Sequence, residues 1–171
     1  MRRAETQKEE IATIRKRTIT LELSDADCDR ISRKAGENGL TVAELLQNFI
    51  GDLVDGTYSN GSDERRLAEE WFDRCWFAYQ SDNTLLQYLI NESCGDDTLV
   101  SDLIECCDVV NREIEHFKEY GEYDDEDDLD YFKEKYQSII SDWIKDHPDA
   151  DLEKEVAACR VWRDELSSIK K

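Results

Sequence analysis

A chain of 171 residues with 39% hydrophobic and 37% charged residues and a formal net charge of −20 is long enough to bury a core, stands near the size at which one domain becomes two, and is too apolar to be disordered. No apolar run approaches the roughly 20 residues of a membrane span, and no apolar stretch of signal-peptide type follows the basic start, so a cytoplasmic protein without membrane contact is expected. One proline and seven glycines leave long stretches of good helix formers, which predicts a mainly α fold.

Residues 1–16 form a polar arm with Ile11 and Ile14 as its large apolar residues. From Arg17 the pattern has period two: Ile19, Leu21 and Leu23 point one way, Thr18, Thr20 and Glu22 the other, which predicts a strand over 17–23. Ser24 and Asp27 then make a capping-box-like start for a helix carrying Cys28, Ile31 and Ala35, which stops at Glu37-Asn38-Gly39. Thr41 and Glu44 form a second capping box, and Val42, Leu45, Leu46, Phe49, Ile50 and Leu53 make a continuous helical stripe.

Residues 55–62 gather turn formers and predict a linker. Ser62 is then expected to cap a helix over about 63–80 whose Leu67, Trp71, Phe72, Cys75, Trp76 and Tyr79 give a broad apolar face. Trp76 and Phe77 are neighbours that cannot share one narrow face, so one of them is expected to be exposed or at a subunit contact. A short helix with Leu85, Leu86, Leu89 and Ile90 ends near Cys94-Gly95, and Asp96 or Asp97 caps a long one reaching about Tyr120 with Leu99, Leu103, Cys106, Val110, Ile114 and Phe117. The same spacing recurs from Leu129 to Ile144 and, after the Pro148 turn, from Leu152 to Ile169. Three long amphipathic helices with short connections predict an antiparallel bundle, so residues 63–171 are expected to form one acidic helical domain.

A lone strand cannot satisfy its own backbone, and residues 17–23 have no second strand in the chain. Pairing with the same segment of a second copy would solve this, which predicts a homodimer with Ile19, Leu21, Leu23, Leu45 and Phe49 at its interface. The segment Thr18 to Ser24, the helix after it, and Gly39-Leu40-Thr41-Val42-Ala43-Glu44 together resemble ribbon-helix-helix proteins of the Arc/MetJ type over about residues 16–54. The resemblance implies a 17–54 dimerisation module of one strand and two helices. It also implies outward strand residues Thr18, Thr20 and Glu22 in the major groove, aided by Lys16 and Arg17, with Thr41 at a phosphate. Arg2, Arg3 and Arg15 of the arm are further candidate DNA contacts, whereas Glu22 departs from the family pattern by repelling phosphate.

Charge is unevenly spread. Residues 1–58 hold 9 Lys+Arg and 11 Asp+Glu, and the remainder hold 13 and 31, a net of −18. Such a surface repels nucleic acid and attracts basic proteins. Asp124, Asp125, Glu126, Asp127, Asp128 and Asp130 form the densest carboxylate run. It serves either as a partner-binding surface that imitates a line of phosphates or as an acid-enriched helix start. No nucleophile elbow, P-loop, dinucleotide loop or zincin motif occurs, so neither catalytic residues nor a cofactor are expected. Cys106-Cys107 lacks ligand spacing and His116 and His147 lie apart, so no metal site is expected, and the six cysteines are expected to be reduced.

The segment from Ser59 to Arg65 leading into Trp71-Phe72-Asp73-Arg74-Cys75-Trp76-Phe77 is similar to acidic mobile-element proteins, among which type II anti-CRISPR inhibitors occur. That likeness implies a non-enzymatic inhibitor that blocks a basic nucleic-acid-binding protein such as an RNA-guided nuclease. The alternative is a ribbon-helix-helix repressor or antitoxin whose C-terminal unit holds another partner.

Overall fold

The computed structural model describes residues 8–79 and 84–171, and the chain divides into two compact units, Met1–Gln80 and Ser81–Lys171. All regular structure among the described residues is helical, in keeping with the mainly α composition. The first unit contains α1 (Asp25–Gly36), α2 (Val42–Leu53), α3 (Ser62–Asp73) and a 3₁₀ turn (Trp76–Tyr79), preceded by a helical turn at 8–12. The second contains α4 (Leu85–Glu92), α5 (Thr98–Tyr120), α6 (Glu126–Asp146) and α7 (Leu152–Lys170).

Capping chemistry sets the helix starts of the first unit. Ser24 accepts the Asp27 amide at 3.2 Å and donates its hydroxyl to the Asp27 carboxylate at 2.7 Å, and this bond, then Arg30, holds that carboxyl below its ordinary range. At α2 both halves of the capping box form: the Glu44 amide donates to Thr41 Oγ1 at 3.2 Å, and the Thr41 amide donates to Glu44 Oε2 at 2.8 Å. Between them Gly39 turns the chain at φ 72°, a conformation that spares glycine the Cβ clash other residues meet.

The β-strand predicted over 17–23 is not present in the single chain. Residues 18–23 pair with no other described backbone, and Ile19, Leu21 and Leu23 are exposed. The physical reason is that a strand exists only by virtue of its neighbour, and no described segment of the chain supplies one.

Two further expectations change. The helix predicted over 63–80 stops at Asp73, and its cap residue is Gly61, with no side-chain cap bond from Ser62. Arg74 and Cys75 turn the chain before the 3₁₀ segment, in which the Trp76 and Phe77 rings meet edge to face at 5.9 Å. The expected end of that helix at Gln80, the Tyr79 side chain, and the arm residues Arg2 and Arg3 lie outside the described residues.

The linker predicted at 55–62 is instead a built turn that fastens α3 to α2. Asp52, nearly buried, accepts the Asn60 backbone amide at 2.6 Å and its side-chain amide at 2.8 Å, and Arg65 bonds Asp55 at 3.0 Å. The Asn60 side chain is the main reason that the Asp52 carboxyl titrates below its ordinary range. A Cβ at Gly51 would stand 2.7 Å from the Tyr58 carbonyl carbon, so only glycine lets the turn lie this close to α2. The division between units accordingly falls at 80/81, after the aromatic helix.

In the second unit α5 and α6 form an antiparallel hairpin. Lys135 of α6 bonds Asp102 at 3.1 Å near one end of α5, and the Asp124 and Asp125 amides reach Glu113 of α5 near the other. Helix α7 packs on α5, with Arg160 on Asp108 at 2.8 Å. Short α4 touches all three and is tied to α7 by the Leu85 amide on Glu155 at 2.9 Å. Its Leu85 and Leu89 join Val100, Leu103, Ile104, Ile140, Trp143 and Cys159 in one sealed core. The bundle expected from three long helices is therefore completed by a short fourth.

Candidate functional site

The acidic candidates Asp124, Asp125, Glu126, Asp127, Asp128 and Asp130 come together where α5 hands over to α6, and all are exposed. Asp125 caps α6 by accepting the Asp128 amide at 2.9 Å, while Glu126, Asp127 and Asp128 occupy its first turn. Carboxylates are favoured there by the free N–H groups and dipole of the helix start. Helix α5 ends at Gly121, in the left-handed region at φ 80°, which lets the chain reverse within a few residues.

The residue that organises this turn was not singled out from the sequence. Glu113 is 1% exposed and accepts the Asp124 amide at 3.0 Å and the Asp125 amide at 3.2 Å, with Arg112 on its other oxygen at 3.4 Å. The Asp125 amide is the chief cause that holds its carboxyl below the ordinary glutamate value, against the opposing effect of burial. A signal was available, because Glu113 follows Val110 by three residues and precedes Phe117 by four, on the apolar stripe where a carboxylate needs a buried partner. Nearby, Tyr123 stacks on Phe117 with ring centres 4.7 Å apart, and Lys133 stands 6.0 Å above Tyr123.

In the first unit, Lys16, Arg17, Thr18, Thr20 and Glu22 all lie on the exposed non-helical segment before α1. Arg17 reaches back to the Thr13 carbonyl at 3.3 Å. Thr41 stands at the α2 start, but its hydroxyl is engaged with Glu44 at 2.8 Å, and the Thr41 amide lowers the Glu44 carboxyl pKa. An anion therefore already occupies that helix N-terminus, and a phosphate would have to displace it. The expected interface residues Ile19, Leu21, Leu23 and Phe49 are exposed and Leu45 is half-buried, while Trp76 at 72% and Phe77 at 39% exposure bear out the reading that these neighbours cannot both be core. Phe49, Trp71, Phe77 and Trp76 follow one another in edge-to-face ring contacts.

Among the described residues no three His, Cys, Asp or Glu side chains converge as a metal site, and no helix is long and apolar enough to cross a membrane. Burial raises the Cys106 and Cys107 thiols, and pushes Cys159 up to about 11, the opposite of an activated nucleophile. No family model matches the chain, and neither does any curated protein or solved structure.

Proposed function

We propose that this protein is a dimeric, non-enzymatic inhibitor whose acidic helical unit occupies the cationic nucleic-acid-binding surface of another protein, of which RNA-guided nucleases are the leading class. The observation that carries the reading is the charge of residues 81–171, which hold 26 Asp+Glu against 10 Lys+Arg, a net of −16. Among its described carboxylates only Glu113 is buried and Asp97, Asp102 and Glu155 are half-buried, so most face solvent and project one sign of field toward a partner. Dimerisation would follow from the ribbon-helix-helix resemblance, with the 17–23 segments of two copies pairing and α1 and α2 covering the apolar face of that ribbon.

The test is competition. Added to a guide-loaded RNA-guided nuclease, the protein is expected to lower target-DNA binding at near-stoichiometric ratio, with an effect that weakens as salt rises. Undiminished DNA binding by the nuclease at saturating inhibitor would sink the proposal for this class of target.

A second reading is favoured by one observation, the two helices that follow an exposed alternating segment. A ribbon-helix-helix repressor would shift its operator DNA with a steep salt dependence. Glu22 on the outward face and Glu44 at the α2 start both oppose that role.

A further inference from the structure

The rings of the first unit form one continuous cluster. Phe49 of α2 meets Trp71 of α3 with ring centres 5.5 Å apart, and Phe77 of the 3₁₀ turn touches Trp71 at 6.5 Å, Phe72 at 5.1 Å and Trp76 at 5.9 Å. The break in the chain explains the arrangement. Helix α3 stops at Asp73 and the backbone turns at Arg74 and Cys75, so Phe77 comes back to Trp71 and Phe72. None of the five is buried. They are between 39% and 72% exposed, and a ring of this size removes about 150–250 Å² from water when covered, so the cluster leaves roughly 350–600 Å² of apolar surface open. A standard interface takes about 800 Å² from each partner, of which about 450 Å² is apolar. The rings by themselves supply that apolar share.

We propose that this cluster is a contact between two copies of the chain, packed ring on ring about a two-fold axis. Three observations select a second copy as its occupant. The first is that the patch complements itself. A two-fold contact sets each patch against its own likeness, which a field of one sign would oppose. Here the patch is made of uncharged rings, and their positive edges suit their negative faces, as in the crossings at 74° and 72° within the cluster. The second is the charge of the unit that carries it. Residues 1–80 hold 12 Lys+Arg and 16 Asp+Glu, a net of −4 against −16 for residues 81–171, so two first units approach each other with little repulsion. The third is need. The buried apolar side chains among the described residues of the first unit are Ala35 and Ala68, so it gains most from apolar cover, and a second copy is present wherever the chain is, in equal amount. This contact is separate from the ribbon pairing and from the inhibitor reading, since four of its five rings lie outside residues 17–54 and none is charged.

The experiment is sedimentation of the full chain across a concentration series, with the tryptophans as a second readout. Trp76→Ser removes the most exposed ring of the cluster and leaves the net charge unchanged. It is expected to raise the dissociation constant at least about thirtyfold, as the loss of an aromatic anchor does, with helicity by circular dichroism retained. In the parent, acrylamide quenching of tryptophan fluorescence should fall as concentration rises, because Trp71 and Trp76 leave water on association while Trp143 is buried throughout. A parent chain that stays monomeric, a folded Trp76→Ser protein that associates like the parent, or quenching that stays constant while the parent associates would each overturn the contact. Should Trp76→Ser lose helicity, the quenching series of the parent decides. Leu21→Asp separates this contact from the ribbon. Association that survives Leu21→Asp but not Trp76→Ser would remove the ribbon pairing alone, and the reverse would remove the ring contact and leave the ribbon standing.

Discussion

Helix α2 of the first unit and helix α5 of the second carry the same kind of apolar stripe, yet they meet different fates. Around α5 the chain supplies its own cover, and eight side chains from four helices form one sealed core. Around α2 it does not: among the described residues of the first unit the buried apolar side chains are Ala35 and Ala68, while Leu21, Phe49, Ile50, Trp71 and Trp76 are exposed. Burial of apolar area is the main favourable contribution to folding, and the second unit makes far more of it than the first. The comparison teaches where to look for a partner, since an uncovered alternating segment and an uncovered helix face call for apolar area from elsewhere.

The largest effect is expected where that contrast is sharpest. If two copies bury Leu21 between them, Leu21→Asp removes roughly 1.5–3 kcal/mol of burial per chain, twice over by symmetry, and inserts two charges. The dimer dissociation constant should then rise by at least about a hundredfold, measured by sedimentation across a concentration series. A parent chain that sediments as a monomer at all concentrations would break the comparison on the side of the first unit. Next in size is Leu103→Ala inside the sealed core, expected to cost about 2–5 kcal/mol in the thermal unfolding of the second unit while leaving the sedimentation of the dimer unchanged. A shift of both properties together would show that the two units do not behave separately.

The smallest effect concerns pH. Glu113 has its carboxyl pKa lowered by the Asp125 and Asp124 amides, so its contribution to stability is fully present above the ordinary value of about 4.5 and is lost as pH falls through the lower folded value. Glu113→Gln should therefore flatten the acid limb of the melting temperature of the second unit below that pH, with a milder loss at neutral pH. Identical acid limbs in parent and variant would show that the turn is held by other bonds.

Local signals in the sequence were sufficient wherever the determinant is local. The Thr41/Glu44 box, the Ser24 cap, the breaks at Gly39 and Cys94-Gly95, and the long stripes of α5, α6 and α7 all translate directly into the observed helices. The exposed carboxylates of residues 124–130 were likewise legible, because helix starts attract acid. What escaped depends on partners distant in sequence. Glu113 looks like one more surface acid until the turn eleven residues later closes over it. The turn at 55–62 has the composition of a linker, and what fastens it is the seat of Tyr58 on Gly51 and the grip of Asp52 on Asn60. The expected strand over 17–23 failed for the same reason on a larger scale, since no described backbone of the chain pairs with it.

That seat of Tyr58 against Gly51, with Asp52 clasping Asn60, has a mechanical corollary. It fastens the start of α3 to the end of α2, so that Trp71 meets Phe49 ring to ring at 5.5 Å. In a two-fold assembly built on α2, the pairing itself would place each such pair of rings, as the two jaws of a calliper are placed by its joint.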